Sequence, residues 1–169
     1  LKLLNQKKSE IHKKQFLAIR NIFNLLSIED KEVKYDKAGK PIFSQNKTLS
    51  ISHSGKYAAV IISSHSVGID IEKINSKAMK IKHKFLDIEL NYPQELNNQI
   101  SLVYWNIKES IYKAVGITGI DFKKNILALP LDTTSSKCKS WYVNNDEIYS
   151  FETHFRISKN YTLAFVIKN

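Results

Sequence analysis

Hydrophobic positions along the chain change their period several times, and each change marks an element. Between residues 9 and 26, Phe16, Ile19, Phe23 and Leu26 recur at i, i+3, i+7 and i+10, the spacing of a buried helix stripe. His12, Lys13, Lys14 and Arg20 fall mostly outside it. Val33-Lys34-Tyr35 and Lys40-Pro41-Ile42-Phe43 flank Asp36-Lys37-Ala38-Gly39, which reads as a hairpin with Gly39 free to take positive φ. Residues 48–53 alternate as a strand, Ser54-Gly55 makes a tight turn, and residues 57–62 form a second, mostly buried strand. From 67 to 72 the alternation is clean: Val67, Ile69 and Ile71 face one way, Gly68, Asp70 and Glu72 the other. Residues 77–99 have no clear period and are assigned to a short helix and loop around Pro93. A long helix follows over about 101–115, with Gly116 just past its last periodic residue, where helices stop. The remaining segments, 126–129, 139–143, 148–155 and 161–167, read as strands separated by polar turns.

This order contains an echo. Each half runs from a helix through strands to a strand, a turn and a similar last strand: Lys56-Tyr57-Ala58-Ala59-Val60-Ile61-Ile62 in the first, Asn160-Tyr161-Thr162-Leu163-Ala164-Phe165-Val166-Ile167 in the second. The pattern predicts an α+β protein of two similar halves, residues 1–66 and 67–169, packed as one unit. A ligand is expected in the crease between them, where pockets preferentially form.

Within the long helix, Trp105, Glu109 and Lys113 stand at i, i+4 and i+8, so an acid and a base project from one face. Standing alone, such a Glu–Lys pair is an ordinary solvated contact contributing roughly 0.2–0.5 kcal/mol. Asp70 and Glu72 give it more weight. Two carboxylates side by side on one strand face repel, and in a cleft they need a cation or a proton. Asp70, Glu72 and Glu109, with no accompanying His–Cys pattern, make a hard, oxygen-rich donor set that suits Mg2+ or Mn2+ rather than zinc. Lys40, Lys108 and Lys113, with His53 and Arg20, are candidate phosphate donors. Neither a Walker motif nor Gly-x-Gly-x-x-Gly is present, so the phosphate is not held as in a P-loop or Rossmann enzyme.

The charge agrees with an anionic partner. Among 169 residues, 26 are Lys or Arg and 16 Asp or Glu, giving +10, although a Lys-, Ile- and Asn-rich genome explains such an excess as readily. Cys138 is the single cysteine, which excludes an internal disulfide and a cysteine-based zinc site and fits a reducing, cytoplasmic compartment. No apolar run reaches the roughly 20 residues of a membrane span.

Four motifs in order resemble the 4'-phosphopantetheinyl transferase superfamily. They are Gly39-Lys40-Pro41, Ser50-Ile51-Ser52-His53-Ser54, Gly68-Ile69-Asp70-Ile71-Glu72 and Trp105-Asn106-Ile107-Lys108-Glu109-Ser110-Ile111-Tyr112-Lys113. The last two match the paired signature Gly-x-Asp-x-Glu and Trp-x-x-Lys-Glu-(Ala/Ser)-x-x-Lys. The resemblance implies two halves related by a pseudo-twofold. It implies transfer of the phosphopantetheine arm of coenzyme A to a serine of an acyl or peptidyl carrier protein, releasing adenosine 3',5'-bisphosphate. By the same resemblance, Asp70, Glu72 and Glu109 are expected to hold Mg2+, with Mn2+ possible. Glu109, directly or through a metal-bound water, is expected to deprotonate the serine. Lys113 and Lys108 are expected to meet coenzyme A phosphates, Lys113 within the catalytic group. Ser52 and His53 are expected to contact phosphate, and Lys40 and Pro41 to lie beside the adenine nucleotide. Arg20 is a further phosphate candidate with no motif behind it.

Nearly seventy residues precede Asp70, and Trp opens the last motif. Both features resemble the long, two-half, monomeric subclass rather than the short trimeric one, although the chain is short for that class and its N-terminal half is expected to be shortened at its start. Two other readings stay open: a catalytically inactive relative, and a basic anion- or nucleic-acid-binding domain. Scattered lysines, scarce arginine and no recognisable nucleic-acid motif weigh against the last. An inactive relative is expected to have lost a metal ligand, yet all three carboxylates are present.

Overall fold

A computed structural model describes residues 9–37, 39–43 and 46–169. The first helix, α1 (Glu10–Leu25), starts at Ser9, whose Oγ accepts the His12 N–H at 3.3 Å. Its buried face is Gln15, Ile19 and Phe23. Leu26, expected in the stripe, lies beyond the helix and is exposed, because the chain leaves α1 there and turns back through Ile28. Strands β1 (Val33–Tyr35) and β2 (Pro41–Phe43) pair antiparallel. Gly39, at φ +82°, supplies the left-handed turn residue, whereas Ala38 of the expected turn lies outside the described residues. Strands β3 (Thr48–Ser54) and β4 (Tyr57–Ser63) form a second hairpin. Ile19, Phe23, Ile28, Val33, Phe43 and Leu49 bury themselves together and tie α1 to both hairpins.

The rest of the chain builds one antiparallel five-stranded sheet. It contains β5 (Val67–Lys73), β6 (Ile126–Ala128), β7 (Lys137–Val143), β8 (Ile148–Ile157) and β9 (Tyr161–Lys168), in the order β5-β9-β8-β7-β6. The region without a clear period contains one helical turn, α2 (Lys77–Lys80), and two 3-10 turns, Lys82–Lys84 and Ile88–Asn91. Helix α3 (Asn98–Val115) packs on the sheet. Asn97 caps its start by accepting the N–H groups of Gln99 and Ile100, and Gly116, at φ +71°, ends it in the left-handed conformation. A short helix not expected from the sequence, α4 (Phe122–Asn125), is capped by Asp121 and leads into β6.

Two contacts bring the candidate residues together. The first is Gly68: a Cβ built there would lie 1.8 Å from the Ser110 carbonyl oxygen, so only glycine lets β5 approach α3 this closely. The second is a row of serines. β3 does not pair with β5 through its backbone. Instead, Ser50, Ser52 and Ser54 accept the N–H groups of Ile69, Ile71 and Lys73 at 3.1, 3.2 and 3.1 Å. Alternate serines on one face of a strand reach alternate amides on the neighbouring edge, as the two-residue period requires. The Ile69 and Ile71 N–H groups, which would otherwise be buried without partners, are thereby satisfied.

Candidate active site

Asp70 is 5% exposed, and three elements hold its carboxylate. Oδ1 accepts from Ser52 Oγ of β3 and from Lys113 Nζ of α3, both at 2.8 Å, and Oδ2 accepts from Asn106 Nδ2 of α3 at 2.8 Å. Lys113 also donates to the Ile69 carbonyl at 2.9 Å. The helix spacing read from the sequence is therefore realised, with Lys113 paired to Asp70 rather than to Glu109.

Glu72 follows two residues along the same strand face and accepts from Ser54 Oγ at 2.6 Å. Burial is the main cause that raises its carboxyl above the ordinary range, and Asp70 adds to it. Glu109 is pushed up to about 7, first by burial, then by the charges of Asp70 and Glu72, with Lys113 opposing. Burial and the neighbouring carboxylates raise both carboxyls by more than Lys113 lowers them. Hard oxygen donors whose charged forms are disfavoured in this way suit Mg2+ or Mn2+. Among the described residues, no three His, Cys, Asp or Glu side chains already converge as a coordinating group. The set fits a divalent cation by donor chemistry and charge, with Lys113 partnering Asp70 in this structure.

Beside Asp70 opens a cavity of about 750 Å3. Its walls include Phe16 and Arg20 of α1, Pro41 of β2, Ser52 and His53 of β3, and Lys113 of α3. Arg20, His53 and Lys113 give it a basic lining, and Phe16, Ile19, Tyr35 and Ile51 an apolar one. This pairing of flat apolar surface with cationic donors suits a phosphorylated aromatic ligand. Arg20 is held in place by Asp30 (Nε–Oδ1 2.7 Å) and stacks over the Phe16 ring at 4.3 Å.

Two of the candidate lysines are not among the residues that line the cavity. Lys108 is 0% exposed and points away from the cavity. Its ammonium pairs with Glu89 at 2.8 Å and donates to the Phe122 and Ile126 carbonyls at 3.0 and 2.6 Å. Glu89 in turn accepts the Ala128 and Asp87 N–H groups. All donors of the ammonium are spent on structure, which leaves none turned to the cavity. Burial pulls its ammonium below the ordinary lysine value and Glu89 counters this. Lys40 reaches across to the C-terminal end of α3: a Cβ on Gly116 would come within 2.2 Å of its Nζ. Positive charge is favourable at that end of a helix. Gly39 and Pro41, on either side of Lys40, line the cavity.

Sequence reasoning missed Gln15, Asn106 and Thr162. Gln15 lines the cavity and donates to the Gly55 carbonyl at 3.0 Å. A glutamine one position from a hydrophobic stripe carries no signal that separates it from a solvated residue. Asn106 and Thr162, both fully buried, lie one after the other behind Asp70.

The chain has recognisable relatives. A sequence model of the 4'-phosphopantetheinyl transferase superfamily matches residues 66–166. The "4'-phosphopantetheinyl transferase gsp" of Aneurinibacillus migulanus is 34% identical over 110 residues, covering 60% of this chain and 46% of that protein. The "4'-phosphopantetheinyl transferase" of Bacillus subtilis is 30% identical over 97 residues, 54% of this chain and 39% of that protein. The chain belongs to the 4'-phosphopantetheinyl transferase superfamily. The matched part spans less than half the length of either relative.

Proposed function

We propose that this chain transfers the 4'-phosphopantetheine arm of coenzyme A to a serine of an apo acyl or peptidyl carrier protein, leaving adenosine 3',5'-bisphosphate. One observation carries this reading: the cavity of about 750 Å3 has a basic and aromatic lining and ends on Asp70, beside the carboxyls of Glu72 and Glu109. Coenzyme A is an adenine nucleotide with phosphates, and both parts have complementary surface there. Residues 1–66 and 67–169 act as two related halves, and the cavity takes its walls from both. Arg20, His53 and Lys113 bind phosphate oxygens, Ser52 fixes Asp70, and Pro41 lies against the nucleotide.

Asp70, Glu72 and Glu109 would hold Mg2+ or Mn2+, which when bound neutralises charge on the pyrophosphate. The residues themselves supply orientation and proton transfer. Lys113 pairs with Asp70 and lines the cavity with it, so its ammonium can turn from the carboxylate to a phosphate oxygen. Glu109 would accept the proton of the attacking serine, its carboxyl kept ionised at neutral pH by the cation it would hold. No described helix is long and apolar enough to cross a membrane. The partner is a carrier protein, not a lipid surface or a nucleic acid, and the enzyme works as a monomer in the cytoplasm.

The test is the intact mass of an apo carrier protein after incubation with this chain, coenzyme A and Mg2+. A gain of one phosphopantetheine arm that EDTA prevents is the expected result. No gain across several carriers, together with no binding of coenzyme A, overturns the proposal.

A further inference from the structure

Behind Asp70, on the side away from the cavity, Asn106 of α3 and Thr162 of β9 sit fully buried. Asn106 Nδ2 donates to Asp70 Oδ2 at 2.8 Å, and Thr162 Oγ1 donates to Asn106 Oδ1 at 2.5 Å. Their neighbours along the same two elements, Ile107 and Ile111 on α3 and Ala164 and Val166 on β9, are buried apolar side chains. An apolar pair in their place would pack without the cost of burying an amide and a hydroxyl. The polar pair therefore needs a reason, and the geometry supplies one. Ser52 and Lys113 both bond Oδ1, which leaves the plane of the carboxylate free to turn about that oxygen. The Asn106 amide bonds the other oxygen and fixes the plane. An amide can itself turn over and present its oxygen, which the carboxylate would repel. The Thr162 hydroxyl, donating to Oδ1 of Asn106, selects the orientation that keeps N–H toward Asp70.

We propose that Thr162 and Asn106 are positioning residues that lock the Asp70 carboxylate into the single orientation in which it can serve a divalent cation. This rests on the cation reading given above. The two side chains touch neither the cavity nor any reacting group, and act only through Asp70.

The test separates orientation from packing with two variants of opposite character. Thr162→Val keeps the shape and removes the hydroxyl, while Thr162→Ser keeps the hydroxyl and removes the methyl. Mn2+ binding to the full chain without coenzyme A, followed by the electron paramagnetic resonance of free Mn2+, is the readout, with thermal midpoints as the control. Thr162→Val is expected to weaken Mn2+ binding roughly tenfold, the scale of an outer-shell partner lost from a metal site, and Thr162→Ser to bind as the parent does. Equal binding by Thr162→Val, or an equal loss in Thr162→Ser, overturns the proposal. A parent chain that binds no Mn2+ overturns the cation reading instead. The brace is then judged by the side-chain amide 1H–15N signals of Asn106. Signals that move in Asp70→Asn and Thr162→Val but not in Thr162→Ser uphold it, and signals indifferent to Thr162 overturn it.

Discussion

At pH 8 without a divalent cation, the Glu109 carboxylate is a charge held among other negative charges with little water to compensate it. Its carboxyl rises from 4.5 to about 7 in the folded chain, so the folded state binds more protons than the unfolded one between those values. Stability therefore falls as pH rises from about 4.5 through about 7, then levels off. Glu109→Gln removes the charge. In EDTA its thermal midpoint is expected to exceed the parent's at pH 8 and to converge with it near pH 4.5, while transfer drops by about 100-fold or more. Parallel melting curves across that range would remove burial as the cause. Glu109 and Lys113 were legible because helix spacing and motif agree on them, as were Asp70 and Glu72 on a strand with a two-residue period. Asn106 was not: a polar residue between Trp105 and Ile107 looks like filler until the fold sets Asp70 against it. The burial of Lys108 was not legible for a related reason, since lysine is rarely buried and its motif position invites a phosphate.

Helix α3 buries eleven of its 18 residues, so no single stripe describes it. A helix enclosed on most sides spreads its functional and structural residues around the axis, and periodicity alone cannot sort them. That is why the sequence showed where α3 runs but not which face Lys108 takes. Its partner Glu89 sits in the segment with no period at all. Removing one member of this buried pair leaves the other uncompensated, so Lys108→Met is expected to cost about 3–5 kcal/mol in denaturant unfolding. Lys108→Met combined with Glu89→Met should recover only the part due to the uncompensated charge, because the backbone groups of Phe122, Ile126, Ala128 and Asp87 then lack their partners, and coenzyme A affinity of the folded Lys108→Met chain should be unchanged. A specific loss of coenzyme A affinity would return Lys108 to the phosphate site. Gly68→Ala tests the other element-scale constraint. A Cβ 1.8 Å from a backbone oxygen cannot be absorbed by a side-chain rotation, so β5 and α3 must part. A loss of about 2–3 kcal/mol, together with the loss of transfer, is expected.

For the whole molecule, the alternation of helix and strands made an α+β fold legible, and most element boundaries agree within a few residues. The seam between the β3–β4 hairpin and the five-stranded sheet was not legible, because Ser50, Ser52 and Ser54 read as the polar face of an ordinary strand. A net charge of +10 predicts that encounter with an acidic carrier is steered by charge. Raising salt from 50 to 500 mM is expected to lower kcat/KM roughly tenfold with kcat nearly unchanged. The serine seam has a consequence of another kind. A backbone ladder opens only when the sheet does, but hydroxyls can let go of β5 while β5 stays paired to β9. The amides of Ile69, Ile71 and Lys73 then exchange with deuterated solvent each time the seam gapes, and those of Gly68, Asp70 and Glu72 do not. Six consecutive amides thus carry a built-in comparison between breathing of the cavity wall and unfolding of the sheet behind it, and a ligand that spans the seam slows only the first set.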